Sequence, residues 1–161
     1  MLPENLKENA VAASLEQADG GLLLGGNNDH NELTLEVVPE KIQDALRLLK
    51  EQKFERLSTV TAVDRYPMEP RFEVIYQLQS VSRNLWVRLK CRVGGENPSI
   101  PSATAVYASA NWYEREAWDL FGVVFTGHPN LTRIMMPEFW EGHPLRRDYP
   151  VHGHKYSYQN D

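Results

Sequence analysis

Cysteine is almost missing from the 161-residue sequence. The single thiol, Cys91, excludes an internal disulfide and fits a reducing compartment. It also excludes an iron–sulfur cluster built by this chain alone, because such clusters are normally held by several thiolates. There is no P-loop and no G-x-G-x-x-G stretch, so the sequence offers no case for a nucleotide site. Long apolar runs are missing as well. Leu22-Leu23-Leu24 and Val123-Val124-Phe125 fall far short of the roughly 20 residues needed to cross a bilayer. The opening MLPENLKENA is acidic where a secretion signal would be basic and then apolar. The expectation is a cytoplasmic chain that meets a membrane only through another protein. A net charge of −5 argues against nucleic acid as a partner, since such domains carry basic patches.

What is present fits one ordinary domain, with 42% hydrophobic and 24% charged residues. A chain of this size buries about 70% of its unfolded surface without staples. Residues 3–19 read as a helix, opened by Pro3 and closed by Gly20-Gly21. Gly25-Gly26-Asn27-Asn28-Asp29-His30 reads as a loop. Leu33, Leu35 and Val37 alternate with polar residues as a half-buried strand does. After Pro39, the residues Ile42, Ala45, Leu46 and Leu49 mark an amphipathic helix ending near Gln52.

Three strands follow, over residues 56–64, 72–79 and 85–93. Phe72, Val74, Tyr76 and Leu78 face one way. So do Leu85, Val87, Leu89, Cys91 and Val93, opposed by Trp86, Arg88, Lys90 and Arg92. Cys91 falls in the apolar row, which makes it a small core residue. Ser102 is placed to cap a short helix through Ala110. The expected fold is α+β, a mostly antiparallel sheet with helices on one face and a long irregular C-terminal extension. Residues 1–150 form one domain, and 151–161 a polar tail.

The most informative stretch is 111–150. Asn111 can cap a helix, with Glu114 reaching back to it. Tyr113, Ala117 and Phe121 share a face, Arg115 and Asp119 are spaced for an i,i+4 pair, and Gly122 can end the helix. Large aromatics on more than one face (Trp112, Trp118, Phe121) imply burial on more than one side, with a second protein as the cover. An acid–base centre from Glu114, Glu116 and Asp119 with His128 and His143 lacks any nucleophile motif. A metal site from His143, His152 and His154 lacks anything to fix its geometry. The cluster Arg146-Arg147-Asp148-Tyr149 is either a solvated turn or an anchor for acidic groups on another protein. Trp140, Tyr149, Tyr156 and Tyr158 around it favour the anchor.

Three runs carry a family resemblance: Glu114-Arg115-Glu116-Ala117-Trp118-Asp119-Leu120-Phe121-Gly122, His128-Pro129-Asn130-Leu131-Thr132-Arg133-Ile134, and Gly142-His143-Pro144-Leu145-Arg146-Arg147-Asp148-Tyr149. Together they closely resemble the C-type, 30 kDa subunit family of respiratory complex I, the NADH-quinone oxidoreductase. Thr61-Ala62-Val63-Asp64, Arg71-Phe72-Glu73-Val74-Ile75-Tyr76 and Ile100-Pro101-Ser102 extend the resemblance upstream in the same order.

The resemblance implies a non-redox structural and assembly subunit of the peripheral arm, on the cytoplasmic face of a bacterial membrane. Its partners would be other complex I subunits, chiefly the quinone-site subunit and the subunit holding the terminal iron–sulfur cluster. The complex passes electrons from NADH to quinone and couples this to proton translocation. NADH, FMN, iron–sulfur clusters and quinone would belong to the other subunits, and the isolated chain would be inactive. Glu114, Arg115, Glu116, Asp119, His128, Arg133, Arg146, Arg147, Asp148 and Tyr149 would shape and dock the C-terminal region, while Gly122, Pro129, Gly142 and Pro144 set its turns. Arg147 stands where the family usually has lysine. Some relatives fuse this domain to the quinone-site subunit; the end at Asp161 is read as a free-standing chain. Arg146→Ala is then expected to weaken incorporation while leaving the domain folded. The alternative is the equivalent subunit of a related membrane redox complex, hydrogenase-type or with another electron donor. A small free-standing hydrolase is a third class, which activity in the purified monomer would reveal.

Overall fold

Alternation along three strands builds the core. In the computed structural model, which describes residues 4–152, β3 (Arg56–Asp64), β4 (Phe72–Ser80) and β5 (Leu85–Val93) are antiparallel neighbours. Tyr76 opposes Leu89 and Val74 opposes Cys91. These side chains are fully buried, together with Phe72, Leu78 and Val87. Burial pushes the Cys91 thiol far above its usual range, so it stays protonated. Leu85, assigned to the same row, is 44% exposed at the end of its strand.

The sheet continues through β2 (Glu32–Val37), parallel to β5, to β1 (Leu23–Asp29), antiparallel to β2. The order is β1-β2-β5-β4-β3. The assignment of residues 25–30 to a loop is therefore corrected: all but His30 belong to β1. His30 and Asn31 take positive φ and form the hairpin turn. Gly26 has φ +154°, and a Cβ there would run into the Thr34 carbonyl oxygen. Pairing with β2 overrides the turn-like composition.

α3 (Ile42–Glu51) buries Ile42, Ala45, Leu46 and Leu49 as the spacing predicts, entered by a 3₁₀ turn over Pro39–Lys41. The expected helix over 3–19 is two pieces, α1 (Glu4–Lys7) and α2 (Ala10–Ala18). Asn9 divides them: its side chain accepts the Val11 and Ala12 N–H groups, starting a new helix. Ser102 does cap, but only a 3₁₀ turn over Ala103–Ala105.

α4 (Ala110–Phe121) packs along β3. On either side of it in sequence, β6 (Ser99–Pro101) and β7 (Val124–Thr126) form a small parallel pair. Three-residue strands carry no periodic signal, so the sequence did not announce them. From Gly127 to His152 there is no helix or strand among the described residues. None of the described helices is long and apolar enough to cross a membrane.

Candidate docking site: a C-terminal segment folded over one helix end

An α-helix leaves its last four carbonyls without intrahelical partners. In α4 these are the carbonyls of 118–121, and every one is taken. Gly122, with φ +76°, donates its N–H to Trp118 at 2.7 Å. His143 Nδ1 lies 2.9 Å from the Asp119 carbonyl oxygen, and Arg133 Nη1 reaches the same oxygen at 3.3 Å. Leu145 N–H donates to Leu120 at 3.0 Å, and Arg146 Nε to Phe121 at 2.6 Å. Residues 133–146 thus act as the cap of a helix that precedes them. No side chain fits at Gly122, where a Cβ would meet the Arg146 guanidinium and the His143 ring. Burial, then the nearby Arg146 and Arg133, lowers the His143 pKa, so the ring is neutral with its proton on Nδ1.

Asp119 holds the same segment from its side chain. The carboxylate is fully buried. Oδ1 pairs with Arg133 Nη1 at 2.5 Å, and Oδ2 accepts the N–H groups of Ile134, Met135 and Met136 at 3.0, 2.8 and 2.9 Å. Burial alone would raise this carboxyl. The Met136 amide, the Arg133 guanidinium and the other two amides outweigh it, and the pKa lies below the usual range. Arg133 also donates to the Gly142 carbonyl at 2.9 Å and stacks 5.5 Å from the Trp118 ring centroid. Trp118 meets the His143 ring edge-on.

A second fastening joins the segment to the sheet. Arg71 is gripped from both sides: its Nε and Nη2 reach Asp64 at 2.8 and 2.7 Å, and its Nη1 and Nη2 reach Asp148 at 3.0 and 2.6 Å. Such two-pronged pairing is what guanidinium geometry supplies. Asp64 also accepts the N–H of Arg147 at 2.8 Å. Arg71 holds the Asp64 and Asp148 carboxyls below their ordinary range. Arg146, 5.0 Å from the Phe72 centroid, stacks on the sheet beside this group.

Two expected pairings are corrected. The helix starts at Ala110, so Asn111 is not its cap, and Glu114 turns away to the preceding 3₁₀ turn. There its two oxygens accept Ser102 Oγ and the Ala103 N–H, each at 2.6 Å. Buried without a cation, Glu114 has its pKa pushed up to about 7. Arg115 does not pair with Asp119; it donates to Thr132 O, Thr132 Oγ1 and the Arg133 carbonyl, and Arg133 has the stronger claim on Asp119. Glu116 is exposed. His128 accepts the Asn130 N–H at Nδ1 across Pro129, so Nε2 carries the proton donated to the Asn111 carbonyl. Pro144 is half-buried between His143 and Leu145, and the Tyr149 hydroxyl donates to the Glu141 carbonyl.

The Arg146-Arg147-Asp148-Tyr149 cluster is not a loose solvated turn. Arg146 and Asp148 are committed to this chain, and Arg147 Nη1 lies 3.5 Å from the Tyr66 carbonyl. The outward side of the segment also carries large apolar side chains: Met135, Phe139 and Leu145 are 59%, 63% and 51% exposed, beside exposed Glu138, Glu141 and Arg147. Trp140, Pro144, Tyr149, Pro150, Val151 and His152 line a cleft of ≈ 340 Å³. Glu114, Asp119 and His128 each hold backbone or a neighbour outside this set, and His143 meets Asp119 only at its backbone carbonyl. Among the described residues no group of three or more His, Cys, Asp or Glu is placed to hold a metal ion. His154, Tyr156 and Tyr158, and the tail beyond His152, lie outside the described residues. Arg71 and Asp64 are the fastening pair that residue reasoning missed. The available signal was an acid closing an apolar strand, which needs a cation if buried.

Comparison with known proteins identifies the family. Residues 35–155 match the family described as respiratory-chain NADH dehydrogenase, 30 kDa subunit. The C-type subunit of the NADH-quinone oxidoreductase of Roseiflexus castenholzii is 45% identical over 149 residues, covering 91% of this chain and 86% of its own. The C-type subunit numbered 2 of the same enzyme in Rhizobium meliloti is 45% identical over 139 residues, 84% of this chain and 76% of its own. Among solved structures, the trypsin-resistant fragment (1-134) of Nqo5 superimposes with a TM-score of 0.64 at 30% identity, covering 73% of this chain and 96% of that one. A chain of the membrane-bound sulfane sulfur reductase, an archaeal respiratory membrane complex, superimposes with a TM-score of 0.75 at 27% identity, covering 90% and 86%. A family match that starts in β2 and runs past the fastened segment, with relatives of this identity and coverage, leaves one assignment: the chain belongs to the 30 kDa subunit family of the respiratory-chain NADH dehydrogenase, the NADH-quinone oxidoreductase.

Proposed function

We propose that the chain is a structural and assembly subunit with no redox role of its own. It docks through the outward side of residues 127–152, beside the quinone-site and terminal iron–sulfur subunits, on the cytoplasmic face of the membrane. One observation carries the reading. The segment spends Arg133, Arg146 and Asp148 on its own chain and leaves Met135, Phe139 and Leu145 exposed beside Glu138, Glu141 and Arg147, the mix of apolar centre and polar rim that a covered surface has. Residues 1–150 act as one domain presenting that surface. NADH, FMN, the iron–sulfur clusters and quinone belong to the other subunits, whose electron transfer from NADH to quinone drives proton translocation. The isolated chain has no catalytic activity. The signature residues Glu114, Arg115, Asp119, Arg133, Arg146 and Asp148 serve docking indirectly, by fixing the segment's shape.

A second reading has its own support in the likeness to the sulfane sulfur reductase complex: the same module in another membrane redox assembly. Affinity purification of the tagged chain from gently solubilised membranes separates the two. Quinone-site, cluster-bearing and NADH-oxidising partners are expected. Partners of a hydrogenase or sulfur-reductase type move the assignment to the second reading. Phe139→Asp should lose those partners while the isolated variant melts as the parent does. Retention of the partners by Phe139→Asp refutes docking through this surface.

A further inference from the structure

A buried acid without a cation needs a way to gain and lose its proton. Glu114 is such a group: it is fully buried on α4, and no Lys, Arg or His pairs with it among the described residues. The elements around it have no charge to spare. Tyr76 of β4 and Cys91 of β5 are fully buried, and burial pushes both pKa values up, so both are neutral. On β3, Arg56 is exposed and Asp64 is bonded to Arg71. Lys50 of α3 donates to the Val106 carbonyl at 2.6 Å and lies 5.1 Å from the Tyr107 ring centroid. Tyr107 is spent on the Phe54 carbonyl. On α4 itself Asp119 pairs with Arg133, Arg115 bonds to Thr132, and Glu116 is exposed.

What Glu114 does have is a short row of hydroxyls. Ser102 Oγ lies 2.6 Å from Glu114 Oε2, and Thr104 Oγ1 lies 2.7 Å from Ser102 Oγ. Ser102 Oγ also accepts the Thr104 N–H at 3.2 Å, and Glu114 Oε1 accepts the Ala103 N–H at 2.6 Å. Ser102 is buried and Thr104 half-buried, so the row leads from the interior toward solvent. A hydroxyl both donates and accepts. With Glu114 ionised, Thr104 donates to Ser102 and Ser102 donates to Oε2. With Glu114 protonated, Oε2 donates to Ser102 and Ser102 donates to Thr104. Every hydrogen in the row has an acceptor in either state.

We infer that Ser102 and Thr104 form a two-way proton relay for Glu114, which makes the join between α4 and the 3₁₀ turn sensitive to pH. On ionisation the Oε2 proton passes to Ser102 Oγ, the Ser102 proton to Thr104 Oγ1, and the Thr104 proton to water. The row is left in its reversed orientation with all atoms accounted for. Thr104 is the acceptor that lets the neutral carboxyl stay bonded, although it does not touch Glu114. Above the midpoint the carboxylate is buried without a cation, and the join loosens as the pH rises.

The test follows the titration of Glu114 in the full-length chain through its ¹³C-labelled side-chain carboxyl. Thr104→Val leaves the Ser102 hydrogen without an acceptor when Glu114 is protonated, so the midpoint should fall by about 0.5–1 pH. Thr104→Ser keeps the hydroxyl and should titrate as the parent does. Ser102→Ala should raise the midpoint, because a hydroxyl bond to a carboxylate is stronger than one to a neutral carboxyl. As the pH rises through the parent's midpoint, the Ala103 amide should lose more hydrogen-exchange protection than the amides of β4. An unchanged midpoint in Thr104→Val overturns the relay, and so does an equal fall in Thr104→Ser. A parent midpoint in the ordinary carboxylate range of about 4–5 overturns it as well. Equal loss of protection at Ala103 and in β4 overturns the pH-sensitive join. If Ser102→Ala fails to fold, the two Thr104 variants decide alone.

Discussion

The sheet and the C-terminal segment are held by different physics. Between β2 and β5 stability comes from apolar area: Leu35, Leu46, Phe72, Tyr76 and Leu89 are fully buried in one continuous core. Between Gly127 and His152 little large apolar surface is buried, and order comes from charged groups bonded to backbone. Asp119, Arg133, Arg146 and the Arg71 bridge do there what leucine and valine do in the core. The core can trade one hydrophobe for another at modest cost. The segment cannot, because its contacts are directional and each needs a particular donor to meet a particular acceptor.

Four changes test this division. Asp119→Ala should have the largest effect, about 3–5 kcal/mol, since it leaves Arg133 and three amides without their acceptor. Hydrogen exchange should show residues 133–149 opening while β4 and β5 stay protected; uniform loss of protection would merge the two regions into one cooperative unit.

Glu114 gives the next effect. Its folded-state pKa of about 7 exceeds the ordinary 4.5, so the folded state favours the protonated carboxyl. The chain should therefore lose stability as pH rises from 4.5 to 7, by about 3 kcal/mol in all. Glu114→Gln should flatten that part of the denaturant-midpoint profile. A profile unchanged by the substitution would remove Glu114 as its cause.

Arg146→Ala follows at about 1–2 kcal/mol, from the lost bond to Phe121 and the lost stacking on Phe72. This replaces the expectation that the isolated domain would be indifferent to that change. Thermal unfolding of the purified variant decides between them. Asp148→Asn should be smallest, about 0.5–1 kcal/mol, because the Asp148 side chain is 45% exposed and its pairing is screened. Asp148 and Asp64 have depressed pKa values. Their contribution is present above the ordinary carboxylate range and is lost as pH falls through the lowered values. Acid-induced proteolysis of the segment, with the ordinary carboxylate pKa of about 4 as the upper edge of the window, should therefore begin sooner in Asp148→Asn than in the parent.

Legibility in the sequence follows the same divide. β3, β4, β5 and α3 were readable because each residue's role is set by neighbours two to four positions away. β1 was not, since Gly25, Gly26 and Asn27 belong to a strand only once Leu35 and Thr34 stand opposite. In the segment the important residues stood out by type, but their partners did not. Arg71 and Asp148 are 77 positions apart, and nothing local announces such a pair. Glu114 and Arg115 misled for a related reason: each had a plausible partner within one helical turn, and each bonds elsewhere. The turn at Gly122 was legible because its cause, a left-handed residue ending a helix, is local.

The cap on α4 also imposes an order of events. A chain emerges N-terminus first, so α4 exists as sequence before most of the groups that close its end. Until residues 133–146 have been synthesised, the carbonyls of Asp119, Leu120 and Phe121 have only water to bond, and the Asp119 carboxylate cannot leave solvent. The last part of the domain to be made completes one of its earlier parts, and a nascent chain halted at Thr126 carries a helix with an open end.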